Sequence, residues 1–212
     1  MSPTTPTGAD DEPMLGLRER KKRLTRRTIA EAAFELTLER GLDGVTIDQI
    51  AERAFVSPRT VSNYFPSKEA AVLAVEGTAP LDLLHGVESR PADEPPLQSL
   101  RETLVAHVRG MSKAEAKVLR RREELIDRHP ALQLQRAAQY DAFEHAVRAL
   151  VAERAGLDAE ADRYPRLVAG AASTAVKTAM RMWMHADGGA SEIAELIDQA
   201  FHDLEAGLSS AE

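Results

Sequence analysis

The side chains best suited to chemistry on another molecule lie in residues 58–64, PRTVSNY. If this segment is a helix, Val61 and the following Phe65 fall on its inner face and the outer face is polar. The polar positions are Arg59, Thr60, Ser62 and Asn63. Guanidinium, hydroxyl and amide groups on a short helix suit hydrogen bonding to base edges in a major groove. The segment therefore predicts a nucleic-acid contact, although an ordinary polar surface helix fits the same spacing.

Two helix start signals place this helix after a tight turn. Thr46 is an N-cap candidate. Apolar residues then recur at the spacing of a buried helix face, at Ile47, Ile50, Ala51 and Ala54. Ser57 followed by Pro58 is the second signal, a capping hydroxyl with proline at the first helical position. Phe55 and Val56 are expected to fill the angle between the two helices, so the pattern predicts a helix-turn-helix unit.

A basic segment precedes the helix-turn-helix unit. Residues 17–27, LRERKKRLTRR, hold seven Lys or Arg against one Glu, a local charge of +6. Such a run neutralises phosphates and releases counterions, which adds affinity that is independent of base sequence. A solvated basic tail or a localisation signal has the same composition. Thr25 is a candidate cap for a scaffold helix ending at Arg40, and arm, scaffold helix and helix-turn-helix together favour DNA binding.

Residues 22–78 resemble the N-terminal domain of TetR-family transcriptional regulators. The resemblance rests on the Ala32-Ala33 pair, Gly41, Thr46, Ile50-Ala51, Val56-Ser57, Thr60, Phe65 and Lys68-Glu69. It implies a three-helix DNA-binding domain on a larger helical domain that binds a ligand and dimerises, and repression that a small molecule relieves. Ser62 stands where many members carry a tyrosine that touches the DNA backbone, and Arg59 stands where they often have glycine. The target sequence therefore cannot be inherited from the family.

The residues expected to contact double-stranded operator DNA fall into two groups. Base contacts are expected from Arg59, Thr60, Ser62 and Asn63. Phosphate contacts are expected from Arg18, Lys22, Arg26, Thr46, Ser57, Tyr64 and Lys68. Lys68 follows a candidate capping serine, Ser67, so a phosphate there would meet both an ammonium and the positive end of a helix dipole.

Composition limits the class of protein. The 212 residues are 43% hydrophobic and 4% aromatic and include no cysteine, which excludes disulfides and cysteine nucleophiles. No apolar run approaches the ~20 residues that span a bilayer, and the polar N-terminus lacks the apolar core of a signal peptide. A cytoplasmic location without membrane contact is therefore expected. The net charge of −7 divides into −3 for residues 1–13, +2 for 14–79 and −6 for 80–212, which concentrates positive charge where DNA binding is predicted.

Helical periodicity continues to the end of the chain, and no segment alternates with the period of a strand. Apolar helix faces are predicted over residues 97–110, 113–128, 130–156, 160–185 and 190–208. The sequence predicts an all-α protein of about nine helices. Its expected parts are a disordered lead over 1–17, a helix-turn-helix DNA-binding domain over 18–79 and a ligand-binding and dimerisation domain over 80–212. A segment rich in turn formers, residues 78–96, marks a linker.

The last two helices are predicted to pair with a second copy of the chain. Small residues over 169–175 allow close helix approach, and Ile193 to Leu204 form an apolar stripe, although such stripes are also usual in the core of a monomer. A symmetric dimer would present two reading helices about one DNA turn apart. TetR-like proteins pair through their last two helices, so a homodimer is expected.

The C-terminal half also holds residues suited to a small-molecule site, which needs mostly apolar walls and a few polar anchors. The candidates are His107, Met111, Arg122, Gln139, Tyr140, Phe143, Lys177, Met180 and Trp183. Residues 90–100 and 132–150 loosely resemble an actinobacterial TetR subgroup with an acyl-CoA-like ligand domain, in which Arg or Lys would pair with ligand phosphates. The histidines lack metal-binding spacing and no catalytic motif is present, so no metal site, cofactor or enzymatic activity is expected.

The prediction is a homodimeric, sequence-specific DNA-binding regulator, a repressor that a small molecule releases from its operator. The ligand would favour a state in which the two reading helices no longer fit successive grooves. Two alternatives stay open. A non-specific architectural DNA-binding protein would show steep salt dependence with little discrimination between sequences. A helical adaptor whose polar helix binds protein would show no measurable DNA affinity at physiological salt.

Overall fold

The computed structural model describes residues 16–74, 84, 86–186 and 188–208. These residues contain helices and no strand, so the all-α prediction is confirmed. The helices with both ends in the described residues are α1 Leu17–Arg40, α2 Ile47–Arg53, α3 Pro58–Tyr64, α4 Lys68–Leu73, α5 Pro96–Arg109, α6 Lys113–Arg128, α7 Pro130–Ala155, α8 Arg163–His185 and α9 Ala190–Glu205. The predicted disordered lead up to residue 15 and the linker residues 78–83 and 85 lie outside the described residues.

The short helices α2, α3 and α4 each begin at a hydroxyl cap. The Thr46 hydroxyl accepts from the Gln49 N–H at 3.3 Å, and the Gln49 Oε1 accepts from the Thr46 N–H at 3.0 Å. Ser57 Oγ accepts from the Thr60 N–H at 3.1 Å, and Ser67 Oγ accepts from the Ala70 N–H at 3.1 Å. A helix start leaves such N–H groups without intrahelical partners, so these caps give helices of six or seven residues defined starting points.

Helix α1 begins at Leu17, well before the predicted start at Thr25. Thr25 is not an N-cap, because its hydroxyl donates to the Lys21 carbonyl at 2.9 Å within the helix. Leucine, arginine and lysine have high helix propensity, so the basic run extends the scaffold helix. The cations from Arg18 to Arg27 therefore lie on a helix that continues into the apolar core.

The turn between α2 and α3 differs from the prediction at Phe55. Its backbone has a φ of 55°, and its side chain is 95% exposed, so the ring does not fill the angle between the helices. Val61 and Phe65 are buried there, at 0% and 2% exposure. A left-handed residue changes the chain direction sharply, and the Phe55 ring is left on the outer side of this turn.

Two apolar cores run through the described helices. The first is built by α1–α4 and is completed by Leu125, Ile126 and Leu132 from the junction of α6 and α7. The second joins α5, α7, α8 and α9 around the fully buried Trp183 and Phe201. Because α6 and α7 contribute to the first core and α4 contacts α7, the N-terminal helices pack directly on the C-terminal ones.

Helices α5–α9 begin and end within three residues of the predicted segments. Ser112 caps α6, Pro130 starts α7 at its first position, and Gly156 ends α7 with a left-handed φ of 65°. In the described ranges, no helix has the length and apolarity needed to cross a membrane.

Candidate nucleic-acid interface and ligand cavity

The outer face of α3 carries the four residues predicted to read bases. Arg59, Ser62 and Asn63 are exposed, and Thr60 is half-buried, with its hydroxyl 2.8 Å from that of Ser57. Within the described part of the chain, the Arg59 guanidinium has no ion pair or hydrogen bond. Its five N–H donors are therefore available to bases or phosphates. The face has the exposure and the donors that base reading requires.

Five of the predicted phosphate contacts are exposed, and Arg26 of α1 is one of them. Arg18 and Lys22 are exposed in the first turns of α1, and Thr46 and Ser57 are exposed at the starts of α2 and α3. The hydroxyl of Thr46 accepts a hydrogen bond in its cap and can still donate its own proton to a phosphate oxygen.

Two cations of the predicted DNA-binding domain, Lys68 and Arg53, form hydrogen bonds with other residues of the chain. Lys68 Nζ donates to the carbonyls of Leu42 at 2.8 Å and Val45 at 3.0 Å, which fixes the loop between α1 and α2. Arg53 donates to both carboxylate oxygens of Glu39, at 3.0 and 2.9 Å. These bonds raise the pKa of Arg53 and lower that of Glu39. Lys68 keeps one N–H for a phosphate, whereas the charge of Arg53 is offset by Glu39.

Arg26 and Tyr64, both predicted to contact phosphates, meet at the C-terminal end of α3. The Arg26 Nη1 donates to the Tyr64 carbonyl at 3.1 Å. The guanidinium carbon lies 4.4 Å from the centroid of the Phe65 ring. All three residues border a cavity, so the end of α3 faces the interior of the molecule as well as its surface.

This cavity has a volume of about 420 Å³ and lies between the α3–α4 connection and the C-terminal helices. The α3–α4 side is formed by Tyr64, Phe65, Pro66, Ala70, Leu73 and Ala74. Helix α5 contributes Leu104, His107 and Val108, Met111 follows its end, and Leu119 comes from α6. Helix α7 contributes Gln135, Arg136, Gln139, Tyr140, Ala142 and Phe143. Val176 and Met180 of α8 and Ile193 and Ile197 of α9 complete the apolar wall. The cavity therefore touches the helix-turn-helix segment and the C-terminal helices at once.

The structure brings six of the nine predicted ligand residues to this wall, namely His107, Met111, Gln139, Tyr140, Phe143 and Met180. It places Arg122, Lys177 and Trp183 outside it. The buried guanidinium of Arg122 lies 4.5 Å from the Phe34 ring of α1. Trp183 is fully buried and donates through Nε1 to the Gly188 carbonyl at 3.0 Å. Lys177 does not line the cavity, but its ammonium lies 5.0 Å from the ring centroid of Tyr140, which does.

Several polar groups of the wall lack partners among the described residues. The Nε2 of His107 and the Nε of Arg136 are buried without a hydrogen bond. Burial lowers the pKa of His107, which favours its neutral form. Arg136 forms an ion pair with Glu123, and burial raises the pKa of Glu123 although Arg136 opposes the shift. Buried polar groups usually have partners, so an occupant with polar groups would fit this wall.

Leu104, Val108 and Arg136, which are not among the predicted ligand residues, share helix faces with residues that are. Leu104, His107, Val108 and Met111 follow one helical stripe, and Arg136, Gln139, Tyr140 and Phe143 follow another. Arg26 and the α3–α4 connection have no such signal, because their place on the wall depends on how α1 packs against α3. In the described part of the chain, no group of three or more His, Asp or Glu could hold a metal ion.

The exposed side of α8 and α9 forms a shallow groove of about 350 Å³. Its residues are Thr174, Ala175, Thr178, Met182, Leu196, Gln199, Ala200, Asp203, Leu204 and Leu208. The small residues Ala169, Ala172 and Ala175 are buried in the chain's own second core, as are Ile193, Ile197 and Phe201 of the predicted stripe. Met182 and Leu208 are 53% and 68% exposed, so an apolar surface remains on the outer side of these helices.

Comparison with known proteins decides the family. Residues 29–75 match the family model described as bacterial regulatory proteins of the tetR family, and residues 94–209 match the model of the MftR C-terminal domain. The chain belongs to the TetR family. TetR-family members are transcriptional regulators and not enzymes, and this TetR-family protein is a DNA-binding transcriptional regulator.

Individual TetR-family relatives agree with this assignment. The chain is 30% identical over 198 residues to the HTH-type transcriptional regulator TcmR of Streptomyces glaucescens, covering 89% of this chain and 86% of TcmR. A TetR-family regulator from Mesorhizobium loti MAFF303099 has a TM-score of 0.51 at 21% identity, over 86% of this chain and 96% of that one. FadR of Thermus thermophilus, a TetR-family repressor solved with lauroyl-CoA, has a TM-score of 0.51 at 24% identity, over 88% and 96%. The two structures support the fold alone.

Proposed function

We propose that this regulator is a homodimeric repressor that binds a specific operator through α3 and leaves it when a small molecule occupies the cavity. Residues 18–79 would act as the DNA-binding domain and residues 80–212 as the domain for ligand and partner. One observation carries the proposal. A single cavity is lined both by the end of α3, at Tyr64, and by the C-terminal helices α5, α7, α8 and α9.

The operator contact is tested with the exposed guanidinium of Arg59. The wild type should bind the DNA upstream of its own gene more tightly than scrambled DNA at ~150 mM salt. Arg59→Ala should weaken specific binding by about 1–3 kcal/mol if Arg59 reads a guanine through two hydrogen bonds. Arg121→Ala, which removes the same charge from the exposed side of α6, is the control and should leave the affinity unchanged. Equal losses on both DNAs would assign Arg59 to phosphates.

The effector class supported by the cavity is an amphipathic molecule with an apolar chain, of which an acyl-CoA is the proposed example. The volume of about 420 Å³ lies within the range of small-molecule sites, roughly 300–1,000 Å³. Two cations lie near Tyr140 of the wall. The Arg136 guanidinium is 5.8 Å from its ring centroid and is paired with Glu123, and the Lys177 ammonium is 5.0 Å from the centroid but outside the wall. A ligand phosphate near Tyr140 would be attracted by the charge that Glu123 does not offset. FadR, which shares the fold, was solved with lauroyl-CoA.

The effector class is tested by titrating three molecules separately into the protein–DNA complex. Lauroyl-CoA should release the DNA, whereas laurate and coenzyme A, which each carry only part of the proposed recognition chemistry, should be much weaker. Release by laurate alone would reduce the effector class to an apolar acid. Release by none of the three would remove acyl-CoA from consideration, while a thermal-shift screen of other amphipathic molecules would still test the cavity.

The homodimer is proposed to form across the exposed groove of α8 and α9. The supporting observation is that Met182 and Leu208 stay exposed beside Thr174 and Thr178 on the same outer face. Sedimentation should show a dimer at micromolar concentration for the wild type and a monomer for Met182→Asp. Leu134→Asp, at a 76% exposed leucine of α7, is the control and should stay dimeric. A monomeric wild type, or a dimeric Met182→Asp, would contradict this surface.

A further inference from the structure

We propose that Arg26 binds an acidic group of the effector, and that this contact competes with the hydrogen bond by which Arg26 holds the end of the reading helix α3. The inference rests on the proposed function, because it names one effector contact within the same cavity. It makes the effector an apolar organic anion, and it gives the cavity a direct route to the DNA-reading surface.

The position of Arg26 is the first argument. Its Nη1 donates to the carbonyl of Tyr64, the last residue of α3, at 3.1 Å. The last carbonyls of a helix have no intrahelical donors and lie at the negative end of its dipole. A guanidinium at this point therefore stabilises the end of α3. Because Arg26, Tyr64 and Phe65 all line the cavity, an occupant can reach this hydrogen bond.

The charge balance of the wall is the second argument. Two guanidinium groups line the cavity, those of Arg26 and Arg136. Arg136 is paired with Glu123, whereas no carboxylate of the described residues pairs with Arg26. A guanidinium has five N–H donors in a planar fork that matches an acidic group with two oxygens. Arg26 uses one of them on Tyr64, so its charge can attract an anion that enters the cavity.

The contact with Phe65 is the third argument. The guanidinium carbon lies 4.4 Å from the ring centroid, and a stacked guanidinium can slide over an aromatic face while keeping its cation–π attraction. A ligand anion could therefore turn the N–H groups toward the cavity and away from the Tyr64 carbonyl. The end of α3 would lose a partner, and the reading face of this helix would be less firmly held. Thermodynamic linkage then requires DNA and anion to weaken each other's binding by the same factor.

The anion contact is tested with two fluorescent probes that share their aromatic rings. One is 1-anilinonaphthalene-8-sulfonate, and the other is N-phenyl-1-naphthylamine, which lacks the sulfonate. The full-length wild type should bind the sulfonate at least about tenfold more tightly than the neutral amine, as expected for hydrogen bonds to a charged group. Arg26→Met should lose this preference, and Arg26→Lys, which keeps the charge without the planar fork, should retain part of it. Arg23→Met, at an exposed arginine of α1 outside the wall, should behave as the wild type.

The competition is tested by measuring DNA affinity with and without saturating sulfonate probe. The wild type and Arg23→Met should lose at least about fivefold in DNA affinity, the low end of usual coupling between sites, and Arg26→Met should lose less than about twofold. The ratio is compared and not the absolute affinity, because Arg26→Met also removes one of the predicted phosphate contacts.

The outcomes separate this inference from the proposed function. Equal binding of both probes by the wild type, or an unchanged sulfonate preference in Arg26→Met, would overturn the role of Arg26 and leave the cavity as an effector site. Undiminished coupling in Arg26→Met would overturn the competition with Tyr64. Binding of neither probe by a folded wild type would overturn the effector cavity itself, and this inference with it.

Discussion

Replacing Lys68 with methionine distinguishes a structural role for this lysine from the predicted phosphate contact. Methionine keeps most of the apolar stem and removes the ammonium that donates to Leu42 and Val45 at 2.8 and 3.0 Å. A hydrogen bond from a charged group contributes about 1.5–3 kcal/mol to the free energy of unfolding. Lys68 is half-buried, so the low end of this range applies. The two bonds together therefore amount to roughly 3 kcal/mol. A loss of 1 kcal/mol lowers the Tm of a chain of about this size by about 2–4 °C, so the Tm should fall by about 6–12 °C.

Calorimetric unfolding and DNA binding over a range of salt concentrations together decide between the roles. Losing a phosphate contact lowers the slope of log affinity against log salt by about 1, and Lys68→Met should leave this slope unchanged. Lys113→Met is the matched control, because Lys113 is also the first residue of a serine-capped helix but is exposed and has no hydrogen bond in the described residues. Its Tm should not change. An unchanged Tm for Lys68→Met together with a slope lowered by about 1 would refute the structural role.

Three further changes test local features of the fold. Phe55→Gly should raise the free energy of unfolding by about 0.5–1 kcal/mol, because glycine removes the strain of a positive φ at an exposed residue and this gain exceeds its entropic cost. Phe55→Ala keeps the Cβ, so calorimetry should show no increase in its free energy of unfolding. The Arg90 guanidinium holds the pKa of Glu94 down to about 2, so the wild type should lose stability as pH falls from 4.5 toward 2, where the folded carboxylate takes up its proton. Glu94→Gln should flatten this part of the urea-midpoint profile. Burial lowers the pKa of Arg122 to about 10, which shows that its charge is desolvated. Arg122→Met should keep the packing on Phe34 without this charge, and its Tm should match or exceed that of the wild type. Arg122→Ala loses that packing, so its Tm should be lower.

The sequence predicts a minority of the cavity wall, six of its 22 lining residues. His107 and Met111 share one helical spacing, and Gln139 and Phe143 share another. The structure brings both pairs together with Met180 of α8. A helical stripe gives which residues share a face, because the period of the helix is constant. The stripe does not show which neighbouring element that face contacts. The sequence therefore predicts Trp183 on the wall, whereas its indole is buried in the second core and donates to the Gly188 carbonyl.

The sequence alone determined the local structure of this protein. Thr46, Ser57 and Pro58 set the starts of α2 and α3 through contacts within three or four residues, and such contacts depend on little besides neighbouring residues. There are two local exceptions. Thr25, a predicted cap, lies inside α1 with its hydroxyl donating to the Lys21 carbonyl. Phe55 points outward from a turn whose left-handed backbone the residue type disfavours.

Only the tertiary structure decided what the long cationic side chains do. Arg26 reaches the carbonyl of Tyr64, 38 residues away, and Lys68 reaches that of Leu42, 26 residues away. From charge and position, the sequence predicts DNA phosphates as the partners of both. A long, flexible side chain takes whichever acceptor the helix packing brings within reach, and that packing results from apolar contacts distributed over the whole of the first core. The type of charge is therefore readable from the sequence, whereas its partner is a property of the folded chain.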